Sequence, residues 1–335
     1  MKDAYAALTE KLSYPDSQRL TKVLRRLMDE EEAEIVASLP CSVSDLAQKL
    51  GKSEETINER LDGLFGKGVV FMTSKGYQVA RDLIQLHDAT GGDIRLDEIW
   101  GRELLDLWED FCQAEWYPDM GRKAQTQEVP TWRVIPAREA ISEGVKLLPA
   151  EDLEVVLNKA SKFAVVHCPC RRIAERCDLP VEVCLQLNRA AEYAIGRGTG
   201  KELTREEAMG ILDLSEEAGL IHSAPNRSEV GGVVCNCCTD CCVLYYGLIK
   251  YGELERGVAK SRFQAEVDKT TCNGCQVCIE RCPFEAIEMV KISGEKKLKA
   301  QIDSEKCFGC GICAVKCDPG AIKLVEVRSP EYIPV

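Results

Sequence analysis

Two stretches decide how this chain is read: Cys272-Asn-Gly-Cys275-Gln-Val-Cys278-Ile-Glu-Arg-Cys282-Pro283 and Cys307-Phe-Gly-Cys310-Gly-Ile-Cys313-Ala-Val-Lys-Cys317-Asp318-Pro319. Each runs C-x2-C-x2-C-x3-C. Residues 267–290 align without gaps on residues 302–325, at a constant offset of 35. The match covers the four cysteines, Asp268 with Asp303, Gly274 with Gly309, Ala286 with Ala321, Ile287 with Ile322 and Val290 with Val325. Each half reads as strand, cysteine loop, short helix, strand. Two such halves can close on each other in pseudo-twofold fashion.

Soft thiolate sulfur delocalises charge onto iron, and three cysteines spaced two apart wrap a tight loop around one four-iron cube. Gly274 and Gly309 are expected to let the backbone approach that cube. The fourth cysteine of each run cannot comfortably reach the same cube and serves the other one. One cluster is therefore expected on Cys272, Cys275, Cys278 and Cys317, and a second on Cys307, Cys310, Cys313 and Cys282. Zinc fits poorly to two three-cysteine loops that each borrow a distant ligand. Residues 264–326 resemble a bacterial-type dicluster ferredoxin. The resemblance implies a ferredoxin-like domain with two 4Fe-4S clusters. It departs from the family at Asp318, where the pattern has proline, with Pro319 one place later. The departure could shift a backbone angle or add a negative charge beside a cluster, which would lower its potential, while ligation is expected to survive.

Nine more cysteines lie between residues 168 and 242: Cys168, Cys170, Cys177, Cys184, Cys235, Cys237, Cys238, Cys241 and Cys242. Free cysteine is often a small buried hydrophobe, but five in the eight residues 235–242 would crowd one loop with thiols. These nine are candidate ligands of one or more further iron–sulfur clusters; zinc is the alternative. Cys168, Cys170, Cys177 and Cys184 could supply four ligands alone, the later group four or five, or one cluster could share both. Adjacent pairs such as Cys237/Cys238 and Cys241/Cys242 seldom serve one cube with both members. Arg171 and Arg172 could offset thiolate charge or be solvated surface. His167 reads as an ordinary packed histidine, His87 and His222 have no evident partners, and Cys41 and Cys112 read as core. The span from Arg133-Val-Ile-Pro through Cys168-Pro-Cys-Arg to Cys235-Asn-Cys-Cys resembles ferredoxin-like iron–sulfur proteins of anaerobes, which join a helical N-terminal domain to a cysteine-rich middle and a dicluster module. That resemblance implies iron–sulfur electron transfer and no substrate.

Residues 1–90 read as a winged-helix-like domain. An amphipathic stretch covers 17–38, a short helix ends at Gly51, and Ser53 caps a helix from Glu54 to Phe65 that Gly66 and Gly68 stop. A hairpin follows, Val69–Thr73 and Tyr77–Ala80 around a Ser-Lys-Gly turn. The second helix carries Glu54, Glu55, Glu59 and Asp62 against Arg60 alone, a balance that repels phosphate. Nucleic-acid binding is therefore not expected, and a docking or homodimerisation role is. Residues 91–150 form an aromatic-rich helical connection with Trp100, Leu104 and Trp108 on one face. Residues 151–263 are expected to be a mostly helical, cysteine-rich, cluster-binding domain, with Thr204 and Glu207 capping a helix to Gly219 and a charged connector at 246–263. Residues 264–335 complete an α+β multidomain chain as a dicluster ferredoxin domain.

The 335 residues carry a net charge of −12 and 45% hydrophobic content, enough for real cores. Acidity disfavours nucleic acid and anionic membrane and suits basic patches of redox partner proteins. No membrane helix or signal segment is evident, so a cytoplasmic protein is expected, in which so many cysteines point to metal or redox chemistry. Oxygen-labile clusters suggest an anaerobic setting. The leading expectation is a multi-cluster electron-transfer protein linking the ferredoxin module, the central cysteine site and a partner oxidoreductase. The alternatives are an iron–sulfur reductase with catalysis at the central cluster, and a redox-sensing winged-helix regulator. No residue is assigned a catalytic role.

Overall fold

Ser17, Asp29, Ser42 and Ser53 each accept a backbone N–H from the first helical turn that follows them. These caps satisfy donors that the helix itself cannot pair. In the computed structural model, which describes residues 3–73, 76–142, 144–229 and 231–335, they start the helices Gln18–Leu27, Glu30–Ser38, Val43–Leu50 and Glu54–Lys67. The single amphipathic stretch expected over 17–38 is thus two helices. Met28 is extended, and Asp29 restarts the helix through a reciprocal capping box with Glu32. Gly51 and Gly68 close the next two helices in the left-handed conformation, whereas Gly66, expected as a stop, lies inside its helix. Val70–Thr73 (β1) then pairs antiparallel with Gly76–Val79 (β2). Of the expected turn between them, Ser74 and Lys75 lie outside the described residues.

Contacts divide the chain into two units. The first comprises residues up to Trp116 with His167–Glu175 and Gly196–Thr199. Its aromatic core corrects two expectations. Trp100 ends the helix Arg95–Trp100, and a new helix, Glu103–Phe111, carries Leu104 and Trp108. The three therefore do not share one helical face. His87 is not without partners: its Nδ1 lies 2.8 Å from Asp88 Oδ1, and its ring meets Trp108 and Trp116 edge-on at 5.4 and 5.2 Å. Cys112 is buried as expected of core, while Cys41 is only half-buried.

The second unit comprises Tyr117–Val166, Arg176–Ile195 and Gly200–Val335. Its strands are Trp132–Val134 (β3), Phe163–His167 (β4), Glu182–Leu187 (β5), Lys201–Leu203 (β6), Ile221–Pro225 (β7), Val233–Cys237 (β8) and Val258–Ala259 (β9). They form one sheet in the order β6-β4-β5-β8-β7-β3-β9. The expectation of a mostly helical middle domain is corrected accordingly. The strands are six residues or shorter, and short apolar runs cannot be told from helix by periodicity. Alternating Val183, Leu185 and Leu187 are fully buried, the period-2 sign of a strand with one face in a core. The helix Arg205–Ala218 begins at the expected Thr204/Glu207 capping box and ends at left-handed Gly219. Its Ala208 and Leu212 share a core with Leu185, Leu187 and Val234. Residues 246–263, expected as a charged connector, instead hold most of the helix Val243–Tyr251, a short helix Leu254–Gly257, and β9.

The tandem repeat closes by exchange between its halves. Phe263–Val267 (β10) pairs with Ile322–Glu326 (β13), and Ile287–Val290 (β11) pairs with Lys299–Ile302 (β12), both antiparallel. The first strand of each half thus meets the last strand of the other. Equivalent bonds repeat across the pseudo-twofold: Asp268 N–H donates to Ala321 O and Asp303 N–H to Ala286 O, each at 2.8 Å. No helix among the described residues is long and apolar enough to cross a membrane.

Candidate metal centres

Exchange of strands also exchanges cysteines. Cys307, Cys310 and Cys313 line one small cavity together with Cys282, the last cysteine of the other run. Cys272, Cys275 and Cys278 line a second cavity with Cys317. The thiols affect each other accordingly. Burial pushes Cys278 up to about 11, and Cys275, Cys317 and Cys272 add to the rise. Burial pushes Cys310 up to about 12, helped by Cys282 and Cys307. Two cavities, each lined by four soft donors, fit two iron–sulfur cubes by donor chemistry. Bound metal would replace the thiol protons.

One cysteine sulfur and one cysteine carbonyl receive direct donors. Ala286 N–H donates to Cys282 Sγ at 3.3 Å, and the buried ammonium of Lys299 donates to Cys272 O at 2.7 Å. N–H donors and positive charge near a cluster raise its potential.

The two loop glycines line the cysteine cavities and also meet neighbouring backbone. A Cβ on Gly309 would sit 2.0 Å from Phe263 O, and one on Gly274 would sit 2.4 Å from Leu298 O. Both residues have positive φ, +68° and +74°. They let the cysteine loops approach neighbouring backbone. Gly309→Ala is expected to destabilise by about 3 kcal/mol, combining a left-handed non-glycine residue with a backbone clash. Gly320→Ala, with φ +64° and open space around its Cβ, should cost only about 1 kcal/mol. Urea unfolding of both variants followed by far-UV circular dichroism checks the contrast.

The central cysteines do not act as one set. In the second unit, Cys177 Sγ lies 3.9 Å from Cys238 Sγ and 3.6 Å from Cys241 Sγ. A carboxylate oxygen of Asp240 joins these three, and all four ligand atoms lie within 4.8 Å of one another. Cys237, which is buried, hydrogen-bonds instead with Cys235 and Cys242, which push its thiol well up. Each adjacent pair, Cys237/Cys238 and Cys241/Cys242, is therefore divided between two groups. Cys184 on β5 accepts from Gln186 Nε2 at 3.1 Å and hydrogen-bonds with neither group among the described residues. Cys168 and Cys170 belong to the first unit, where Cys168 sits before the short helix Pro169–Ala174. In that unit the Arg172 guanidinium spans both Asp97 carboxylate oxygens and so serves an ion pair.

Sequence reasoning missed a buried polar network behind the Cys235-Asn-Cys237 strand. His222, expected to lack partners, faces Glu216 Oε1 through Nε2 at 3.1 Å and Asn236 Oδ1 through Nδ1 at 2.6 Å. Asn236 donates its amide to Val183 O at 2.6 Å. Arg138 and Glu139 N–H groups donate to the Glu216 carboxylate at 2.7 and 3.0 Å. Burial alone would raise the Glu216 pKa, but hydrogen bonds from His222 and these amides hold it below its ordinary value. The neighbouring Ala137 N–H donates to Cys310 O at 2.8 Å. One signal could have found the network: β7 and β8 pair with His222 opposite Asn236, which requires knowing the register.

On the other face of those strands, Ser223 lies opposite Cys235 and hydrogen-bonds the Tyr245 hydroxyl at 2.7 Å. Burial raises the Tyr245 pKa well above its ordinary value, and Cys237, Cys242 and Cys310 contribute to the rise. Tyr245 is buried in one core with Cys237, Cys242 and Cys310.

Comparison with known proteins reaches only the C-terminal part of the chain. Residues 271–321 match the family model of the 4Fe-4S dicluster domain. Neither curated proteins nor solved structures yield a match. The chain carries a 4Fe-4S dicluster domain near its C-terminus, and its role in iron–sulfur electron transfer rests on that domain and its eight cysteines.

Proposed function

We propose that the chain is a multi-cluster electron-transfer protein that links its dicluster domain to a central thiol site and to a partner oxidoreductase. The observation that carries this reading is the grouping of eight thiols into two sets of four, each drawing its fourth member from the other run. Cys272, Cys275, Cys278 and Cys317 would hold one cube, and Cys307, Cys310, Cys313 and Cys282 the other. Each four-iron cube supplies one-electron chemistry when bound.

The chain's own residues orient and insulate these sites. Phe284 stacks on Phe308 at 4.4 Å, and the two rings form an apolar wall of the cavity that Cys282 and Cys307 line. The thiols of Cys235, Cys237 and Cys242 are proposed as ligands of a further cluster; their mutual hydrogen bonding supports this, as does the burial of Cys237 and Cys242 in one core with Cys310. A cleft bordered by Phe308 and Lys306 carries Glu128, Glu253, Glu255, Glu285 and Glu305 on its walls. That acidic surface suits a partner presenting a basic patch around its own redox centre.

Iron and acid-labile sulfide assays on anaerobically purified protein test the reading. About eight of each per chain are expected from the domain, and more with a further cluster. Fewer than about six irons in fully loaded protein would remove it.

A further inference from the structure

The run Cys237-Cys238-Thr-Asp240-Cys241-Cys242 turns the two members of each adjacent thiol pair toward different neighbours, and one of the two resulting groups has a distinctive spacing. Its sulfur separations, 3.6 and 3.9 Å, are those of thiolates sharing one ion. Two sulfurs about 2.3 Å from a tetrahedral centre sit about 3.8 Å apart. The module thiols, arranged for cubes, form no group of three or more within 4.8 Å among the described residues, whereas Cys177, Cys238, Cys241 and Asp240 do.

The fourth donor points the same way. Asp240 Oδ1 is buried and has no hydrogen-bond partner, a costly arrangement for a carboxylate unless something positive faces it. The loop that presents it is held in place. Arg176 donates to Asp240 O at 2.7 Å, and its guanidinium lies 3.9 Å over the Tyr246 ring. Leu179 N–H donates to the Cys177 sulfur. Three ligands from one short loop and one from a distant segment make a chelate fixed by the fold.

We propose that Cys177, Cys238, Cys241 and Asp240 bind a single tetrahedral divalent ion, zinc or iron(II), without bridging sulfide. Three thiolates and a carboxylate are donors for either ion, and a four-coordinate site closed by protein ligands is of the structural kind. The proposal concerns cysteines outside the dicluster domain and does not rest on the electron-transfer reading.

The test compares total zinc plus iron with acid-labile sulfide in the anaerobically purified full chain. Cubes contain iron and sulfide in equal number, so a sulfide-free ion appears as an excess of about one metal per chain. That excess is expected in the unmodified protein and is expected to vanish in Cys177→Ser and Asp240→Ala. The element that disappears identifies the ion. Equal metal and sulfide in the unmodified protein overturns the proposal without need of any variant. An excess that persists in both variants also overturns it, as metal bound elsewhere. Asp240→Cys, which keeps four soft donors, should retain the ion; its loss there as complete as in Asp240→Ala would count against direct ligation by residue 240.

Discussion

Cys317→Ser is expected to remove the iron held by the first cysteine run, and Cys282→Ser the iron held by the second, about four irons and four sulfides in each case. The expectation runs against sequence proximity. Cys317 follows Cys313 by only four positions, yet it lines the cavity of Cys272, Cys275 and Cys278, and Cys278 is among the thiols whose pKa it raises. Pairs of substitutions separate this arrangement from a local one. Cys275→Ser with Cys317→Ser should lose no more than either alone, because both act on one set. Cys310→Ser with Cys317→Ser should lose both sets. Residues that act as a unit are non-additive, and independent ones add. If Cys310→Ser with Cys317→Ser retained as much iron as Cys310→Ser alone, Cys317 would belong to its own run and the exchange would be wrong.

Glu216→Gln is expected to destabilise the chain by about 3 kcal/mol at neutral pH. The carboxylate is fully buried with His222 and accepts from two backbone amides besides. Glutamine offers one acceptor where the site presents three donors, so at least one buried donor faces an NH2 group. The pH dependence has a definite sign. The folded state holds Glu216 below its ordinary value of 4.5, so below that pH the unfolded chain binds the extra proton. The stabilisation is complete above about 4.5 and declines as pH falls through the lowered folded value. The deficit of Glu216→Gln in urea unfolding should therefore be full at pH 7 and shrink below 4.5. A deficit that stays constant with pH would mean that shape, not charge, is what Glu216 contributes.

The same network shows where sequence reading stopped. Glu216, His222 and Asn236 are ordinary residues in sequence, and nothing in their spacing joins them. They meet because β7 and β8 pair in one register and the preceding helix Arg205–Ala218 delivers Glu216 to the same face. The sheet itself was hidden for a related reason. Strands of two to six residues are too short to show a period, and their partners lie far away in the chain. Helix ends were legible, because caps such as Thr204 with Glu207 and stops such as Gly51 act within four residues. The single stretch at 17–38 was misread because its restart depends on Asp29 and Glu32, a capping box inside an otherwise continuous apolar pattern.

By itself, the sequence determined the cysteine chemistry of the C-terminal module, since ligand spacing and an ungapped repeat are local properties that survive without coordinates. Only the tertiary structure decided how the middle cysteines divide. Their direction depends on side-chain alternation along β8 and on a turn at Thr239 and Asp240 that sends neighbouring thiols to opposite sides. Spacing in sequence counts residues along the chain, and coordination depends on distances in space. The two coincide within a tight loop such as Cys272–Cys278, and they part wherever a ligand such as Cys177 arrives from elsewhere.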